Sequence, residues 1–315
     1  MKKVLDIAVI GAGMAGAAVA RRLSDAGAHV TIFDKSRGIG GRMATRRMDG
    51  GAFDHGAQFM RARGERFAAR IAEWSAAGIV DLWDEDRHVG VPAMNAPVKA
   101  RIGDIPVVSA FTATTIVRDG SRWRIADGAG EASEPFDIVV SAIPSPQAQP
   151  LLASAGWDPA GLAETSYAPC WSAMFGYETP IEIEDYVALE DDTIAWIADN
   201  GSKPERALDK SCIVVHATPE WSKAHLELEA DEALAMLFMR FAGITGLMDE
   251  PSYGGAHRWR YAMVEKPLGR THLWNAQERL GACGDWCIGP RIEAAFDSGE
   301  GLAEAIIAEF QLMQA

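Results

Sequence analysis

Cysteine is scarce: Cys170, Cys212, Cys283 and Cys287 are the four in 315 residues. So few exclude a disulfide scaffold and fit a reducing, cytoplasmic compartment. Only Cys283 and Cys287 lie close together, and Cys283-Gly284-Asp285-Trp286-Cys287 is neither a redox CxxC nor a zinc pattern. No HExxH accompanies it, so no metal site is expected. Basic residues are also in deficit, with 30 Lys plus Arg against 44 Asp plus Glu and a net charge of −14. Such a surface repels polyphosphate and argues against a nucleic-acid partner. No stretch has the length of a membrane span. Lys2 and Lys3 before the apolar run from Ile7 to Ala20 superficially resemble a signal peptide. Asp6 interrupts that run, and its glycines are spaced for another purpose, so a soluble protein is expected. Repeats, low-complexity linkers, a Ser/His/Asp arrangement and an obvious pair of catalytic carboxylates are missing as well. With 48% hydrophobic and 23% charged residues, disorder, collagen and coiled coil are excluded as the main organisation. The length suits two domains or one large interleaved one.

The first 34 residues carry the strongest pattern. Asp6-Ile7-Ala8-Val9-Ile10 is a short apolar run of the kind that forms a buried parallel strand. It leads into Gly11-Ala12-Gly13-Met14-Ala15-Gly16, then a helical stretch ending near Gly27, then a second strand, His29 to Phe33, ending on Asp34. Gly11 permits the tight turn, Gly13 lets the backbone approach a pyrophosphate, and Gly16 lets the helix pack on the strand. The unpaired N–H groups of the first helical turn bind phosphate, and Asp34 stands where an acid accepts hydrogen bonds from a ribose diol. Strand, glycine turn, helix, strand and acid in register predict a dinucleotide site.

A second glycine turn follows in Asp34-Lys35-Ser36-Arg37-Gly38-Ile39-Gly40-Gly41-Arg42. It can close over the pyrophosphate, with Arg42 as a charge-assisted contact. This resembles the GG motif of amine-oxidase-like flavoproteins. Asp54-His55-Gly56-Ala57-Gln58-Phe59 is similar to the family loop whose backbone passes the isoalloxazine. Phe136 to Pro144 resembles the strand that returns to the dinucleotide sheet, and Leu280 to Asp285 a strand ending in Gly-Asp. Two more segments are similar to the renalase branch: Val89 to Ala96 to its Gly-x-Pro-x-Met-Asn stretch, and Ala256 to Ala262 to its His-x-Trp-x-Tyr-Ala strand. Pro97 and Pro290 depart from that pattern. The resemblance spans the chain.

That resemblance implies an α/β fold: a Rossmann-type FAD-binding domain (p-hydroxybenzoate hydroxylase-like) with an inserted substrate domain of antiparallel sheet plus helices. The FAD-binding domain is expected over 1–62, 96–164 and 273–315, the substrate domain over 63–95 and 165–272. Noncovalent FAD would be held by Gly11, Gly13, Ala15, Gly16, Asp34, Lys35, Gly41, Arg42, Ala57, Gln58, Phe59, Gly284, Asp285, Glu293 and Ala294. Asp285 would bind a ribityl hydroxyl, and the last helix, entered through Arg291 to Gly299, would face the flavin N1–C2=O edge.

Strands are read over Cys170–Glu178, Thr193–Ala198, Ser211–Thr218 and His257–Met263, and a hairpin over Thr114–Val117 and Arg122–Ala126. Glu65–Ala76 reads as a helix. Asp231 is read as the cap of another, with Leu234, Leu237, Phe238 and Phe241 on one face. Trp171, Trp196, Trp259, Tyr261 and Trp286 supply the aromatic surface on which a flat substrate could stack. His257, Trp259 and Tyr261 are the candidate catalytic residues, although His257 is equally well read as satisfied by backbone. His216 and His225 are read as structural or surface. Arg258 and Arg260 should share the face opposite Trp259, either serving a dinucleotide's phosphates or as surface charges.

The function so implied is oxidation of 2- and 6-dihydro-NAD(P) to NAD(P)+ by hydride transfer to flavin N5, with O2 reduced to H2O2. The partners are then a small dinucleotide and O2, in a monomer or homodimer. An FAD-dependent amine oxidase and a non-catalytic flavin-binding redox sensor are the alternatives.

Overall fold

A computed structural model describes residues 4–48, 51–206 and 209–312; Lys2 and Lys3 lie outside them. The chain opens with β1 (Asp6–Ile10), α1 (Met14–Asp25) and β2 (His29–Phe33), at the residues the pattern predicts. Short antiparallel strands β3 (Arg46–Met48) and β4 (Gly51–Phe53) precede α2 (Glu65–Ala76). Then come the hairpin β5 (Val80–Asp84) and β6 (Arg87–Gly90), α3 (Ala96–Ile102) and β7 (Val107–Val108). The expected hairpin is β8 (Ala113–Asp119) with β9 (Arg122–Asp127), followed by β10 (Ile138–Ser141) and α4 (Ser145–Ser154). A second unit runs through β11 (Ser166–Tyr177), β12 (Tyr186–Ala188), β13 (Ile194–Asp199), β14 (Ser211–Ala217), α5 (Pro219–Ala224), α6 (Ala230–Thr245) and β15 (Tyr253–Lys266). The chain then returns through β16 (Leu273–Asn275), β17 (Leu280–Ala282) and α7 (Ile292–Phe310).

Two larger sheets organise these elements. The first has the order β16-β17-β10-β1-β2-β7, parallel except for β16 against β17. Ile7, Ala8 and Val9 are fully buried, as expected for a parallel strand covered on both faces. One face packs against α1, α2, α3 and α7, the other against β8, β9 and α4. Small residues bring α1 and α7 together. A Cβ on Gly299 would lie 2.4 Å from the Ala15 carbonyl oxygen. Helix α2, which the sequence reading places in the second unit, shares this core: Phe67 lies 5.3 Å from Phe296 between ring centres. Each fully buried Phe contributes roughly 1.5–3 kcal/mol.

The second sheet is β12-β13-β14-β11-β15, antiparallel throughout. Trp171, Ala173, Phe175 and Tyr177 alternate onto one face and pack against Ala233, Leu237 and Phe241 of α6. The cap of α6 differs from expectation. Glu229 and Glu232 form a reciprocal capping box, leaving Asp231 in the first turn, where a carboxylate favours the helix dipole. Among the described residues no helix is long and apolar enough to cross a membrane.

Candidate functional site

The turn after β1 is built by three glycines with different surroundings. Gly11 adopts φ +112°, and a Cβ there would meet the Ala142 carbonyl oxygen at 2.8 Å. A Cβ on Gly16 would stand 1.9 Å from the Gly11 carbonyl oxygen. Gly13 has nothing within 4 Å of its Cβ position. Two glycines therefore serve packing, and the third leaves open space in front of α1. Helix α1 has no side-chain cap and no acid in its first turn, so its free N–H groups and dipole remain uncompensated. Ala15 is buried in that turn. Asp34 frames the rim: its carboxylate accepts from the backbone N–H of Ala12 at 2.6 Å and of Ser36 at 2.7 Å. A carboxylate has about four acceptor positions, so two remain for a diol. Lys35 is exposed beside it.

The second glycine turn lies on the first. Gly40 N–H donates to the Ala12 carbonyl at 3.0 Å, and a Cβ on Gly41 would be 3.3 Å from Gly13 Cα. Asn95, from the Gly-x-Pro-x-Met-Asn stretch, braces this turn through its amide to the Ile39 carbonyl at 3.3 Å. Arg42 reaches across to the end of the first sheet and grips Asp285 with two hydrogen bonds of 2.7 and 2.6 Å. It also donates to the Ala262 carbonyl at 3.0 Å. Burial works against the guanidinium charge, but the Asp285 carboxylate outweighs it and raises the Arg42 pKa. Gly284 carries Asp285 on a backbone anchored to Ser298 Oγ at 2.9 Å. Glu293 is occupied elsewhere: it accepts from the backbone N–H groups of Arg63 at 2.8 Å and Gly64 at 2.6 Å, neutralising the start of α2. Ala294 is buried in the first turn of α7.

The loop from Asp54 to Phe59 rests on a buried cluster that carries no local sequence signal. Asp54 accepts from Arg206 at 2.9 Å, Lys203 at 3.2 Å, Thr45 Oγ1 at 2.5 Å and the Met94 N–H at 3.1 Å. Lys203 also donates to Gln58 at 3.2 Å and Asn200 at 3.3 Å, and its side chain is wholly buried. Burial alone would raise the Asp54 pKa; Lys203 and Arg206, with the Thr45 hydroxyl, reverse this and hold it at about 2. Burial lowers the Lys203 pKa, with Asp54 opposing. Gln58 is thus locked from both sides, donating to the carbonyls of Asp54 and Gly56. Ala57 is held by a 2.8 Å bond from its N–H to the Arg42 carbonyl. Phe59 instead packs near Trp196.

The other face of the second sheet closes on this loop. Register places Trp196 opposite His216, His216 opposite Ser172, and Ser172 opposite His257, so all four project from one face. Trp259 stacks on the His55 ring at 5.1 Å and donates to the His55 carbonyl at 2.8 Å. His257 meets the same ring edge-on at 5.0 Å. Tyr261 lies next along the strand, 5.7 Å from Tyr167. Burial lowers the His257 pKa to about 4, helped by His55, Arg46 and Lys35. Burial likewise brings His216 to about 4, with Lys203 and His55 adding to it against the His55 backbone. His216 therefore belongs to this face, whereas His225 is structural, stacked on Trp221 and bonded to its carbonyl.

Two expected contributors lie elsewhere. Trp171 belongs to the α6 side, and Trp286 is fully buried in the core with its indole N–H on the Ile143 carbonyl. Arg258 and Arg260 do share the face opposite Trp259. Both are paired to Glu227, at 2.9 and 2.7 Å. They do not join the His257–Trp259 surface.

Residues 9–74 match the family model of an NAD(P)-binding Rossmann-like domain. Over 52 residues the chain is 50% identical to 4,4'-diapophytoene desaturase of Staphylococcus aureus (strain Newman), a stretch covering 16% of this chain and only 10% of the desaturase. Solved structures are similar over nearly the whole length. A candidate protoporphyrinogen oxidase from Exiguobacterium sp. 255-15 has 14% identity and a TM-score of 0.74, covering 98% of this chain and 99% of its own. Cyclohexylamine oxidase from Brevibacterium oxydans IH-35A has 14% identity and a TM-score of 0.69, covering 98% and 100%. Putrescine oxidase bound to putrescine has 16% identity and a TM-score of 0.66, covering 97% and 99%. The fold is therefore that of these oxidases, with a Rossmann-type dinucleotide-binding domain at its start.

Proposed function

We propose that this chain is an FAD-dependent oxidase of the renalase type, acting on 2- and 6-dihydronicotinamide dinucleotides. The residues fit the cofactor. The open space in front of Gly13 and the uncapped start of α1 suit a pyrophosphate. Gly11, Gly16 and Ala15 shape that turn, Asp34 and Lys35 flank the adenosine ribose, and Gly41 and Arg42 close over the phosphates. Ala57, Gln58 and Phe59 would pass the ring system, and Gly284 and Asp285 the ribityl chain. Ala294 and the backbone of α7 would meet the pyrimidine edge, with Glu293 holding the neighbouring helix. The buried Cys287 thiol is pushed up to about 12, so it is a poor nucleophile at neutral pH, which supports noncovalent binding.

When bound, FAD supplies hydride acceptance at N5 and passage of two electrons to O2, giving H2O2. The protein's part is to stack, orient and desolvate the substrate ring. Its nitrogen lone pair drives hydride loss, so no strong protein base is required. Trp259 and Tyr261 offer flat surface, and neutral His257 a hydrogen-bonding edge.

The observation that carries this reading is the charge of the face around His257. The cross-strand positions Trp196, His216, Ser172 and His257, and Trp259 two residues further along the last strand, include no carboxylate; Lys35 and Arg46 act on His257 with positive charge, and Lys203 with Arg206 outnumber the single Asp54 carboxylate beneath the loop. That field repels an alkylammonium and suits an anionic dinucleotide with a neutral ring. The test is steady-state H2O2 formation by the purified yellow protein, comparing mixtures of dihydro-NAD(P) isomers with a panel of amines. Turnover of the 2- and 6-dihydro isomers is expected. Amine turnover alone, or a flavin inert to both, would overturn the proposal.

A further inference from the structure

Away from the site described above, a cleft of about 380 Å³ opens between Trp157 and the segment from Arg270 to Trp274 that leads into β16. None of the residues that line it is among those assigned to FAD or to the substrate. β16 is an edge strand of the first sheet, and the cleft wraps that edge. Trp157 packs with the core on the β8, β9 and α4 side, and Trp274 with the core on the helix side. The volume lies near the low end of the roughly 300–1,000 Å³ of small-molecule sites, which suits one ring system. Both indoles are half-buried, so each keeps flat surface free to border a ring.

Arg270 sets the charge of the cleft. Its side chain is exposed and has no ion-pair partner among the described residues. That is notable in a chain of net charge −14, where Arg258 and Arg260 are claimed by Glu227 and Arg240 by Asp191. Backbone bonds hold the segment in place: Leu268 N–H donates to the Trp286 carbonyl at 2.8 Å, and Gly269 N–H to the Cys287 carbonyl at 3.0 Å. His272 adds no charge at neutral pH, because burial lowers its pKa against the pull of Glu304, and Glu304 is itself paired with Arg66 at 3.0 Å. The cleft therefore combines flat apolar walls with one positive charge whose donors form a planar fork. We infer that the Trp157–Arg270–Trp274 cleft is a second ligand site, and that it takes a small aromatic carboxylate. The carboxylate matches the guanidinium fork with two parallel hydrogen bonds, and the ring is covered by the indoles. An ammonium meets like charge there, and an uncharged ring leaves the fork to solvent. The inference does not rest on the reaction proposed above.

Isothermal titration calorimetry of the holoprotein with naphthoate, naphthylmethanol and naphthylmethylamine tests it. Naphthoate is expected to bind most tightly, with an affinity that falls as salt is added. Arg270→Ala should weaken naphthoate roughly tenfold, the lower end for a hydrogen bond to a charged group, and leave naphthylmethanol unchanged. Arg270→Glu should abolish naphthoate binding and favour the amine. Arg270 is exposed and unpaired, so both variants should keep the melting temperature and flavin content of the wild type. Trp157→Leu, which keeps apolar bulk, should weaken naphthoate and naphthylmethanol by the same factor, because it removes ring contact and not charge. Naphthoate affinity unaltered by both Arg270 variants would place the probe elsewhere, the substrate site included, and overturn the inference. So would the absence of naphthoate binding, or an amine bound as tightly as the carboxylate.

Discussion

Asp54→Asn is the substitution with the largest expected effect on the scaffold. The Asp54 carboxylate is fully buried and, among the described residues, is the one anion bonded to both Lys203 and Arg206. Replacing it by an amide leaves two cations facing each other in the interior. Breaking one side of a buried ion pair costs about 3–5 kcal/mol, a large part of the roughly 5–15 kcal/mol of a typical protein. At roughly 2–4 °C per kcal/mol for sizeable domains, the melting temperature should fall by about 6–20 °C. Lys203→Met removes the opposite charge and leaves the Asp54–Arg206 pair intact, so it should be milder. The double variant should be less destabilised than the sum, because the new repulsion is gone. Urea unfolding with a constant m-value measures all three. The acid limb gives a second check. A carboxyl held at about 2 instead of its ordinary 3.8 contributes about 2 kcal/mol at neutral pH. Its folded pKa is depressed, so this stability is present above pH 3.8 and is lost as pH falls toward 2. Asp54→Asn should lack that part of the acid transition. A variant within about 1 kcal/mol of wild type, or Lys203→Met costing as much as Asp54→Asn, would refute the reasoning.

Gly13→Val should fold normally, because nothing lies within 4 Å of the added Cβ, yet purify without flavin; a yellow variant would remove the pyrophosphate assignment. Gly16→Ala should lower stability even without cofactor, since its Cβ would strike the Gly11 carbonyl oxygen, and an unchanged urea midpoint would contradict that. Arg260→Ala should leave KM unchanged for both the dinucleotide and the mononucleotide substrate, because Arg260 is committed to Glu227; a rise confined to the dinucleotide would restore a phosphate role. Burial depresses His216 and His257 from 6.5 to about 4. The unfolded chain therefore takes up protons first, and stability should decline as pH falls from 6.5 toward 4. His216→Phe should flatten this slope in pH-dependent unfolding, and an identical slope would count against a neutral His216.

Legibility varied with the range of the contacts. The ends of β1, α1 and β2 were readable because an apolar run, a glycine turn and an acid follow one another within 34 residues. The long strands were only partly readable. β11 starts before Cys170 and β15 before His257, and their pairing shifts between Ala168 and Cys170, an irregularity that alternation does not reveal. That Arg258 and Arg260 oppose Trp259 follows from the two-residue period, but their partner Glu227 does not. Lys203 and Asp54 meet across 149 positions, and no motif marks either as half of a pair. His216 looked structural because one histidine in an apolar strand has no periodic meaning. Its place beside Ser172 and Trp196 depends on register.

The order of strands in the first sheet has a consequence for synthesis. Next to β1 on one side lies β10, and beyond that β17 near the far end of the chain. Asp285 and the helix that packs on α1 follow β17. While a ribosome is making the protein, the glycine turn is finished long before β10 and β17 follow, and an apolar strand edge stays uncovered in the interval. Such distant pairings are slow to form and leave an aggregation-prone interval. Expression at lower temperature, or with more of a general chaperone present, should therefore raise the yield of soluble protein more than it changes the stability of the finished molecule.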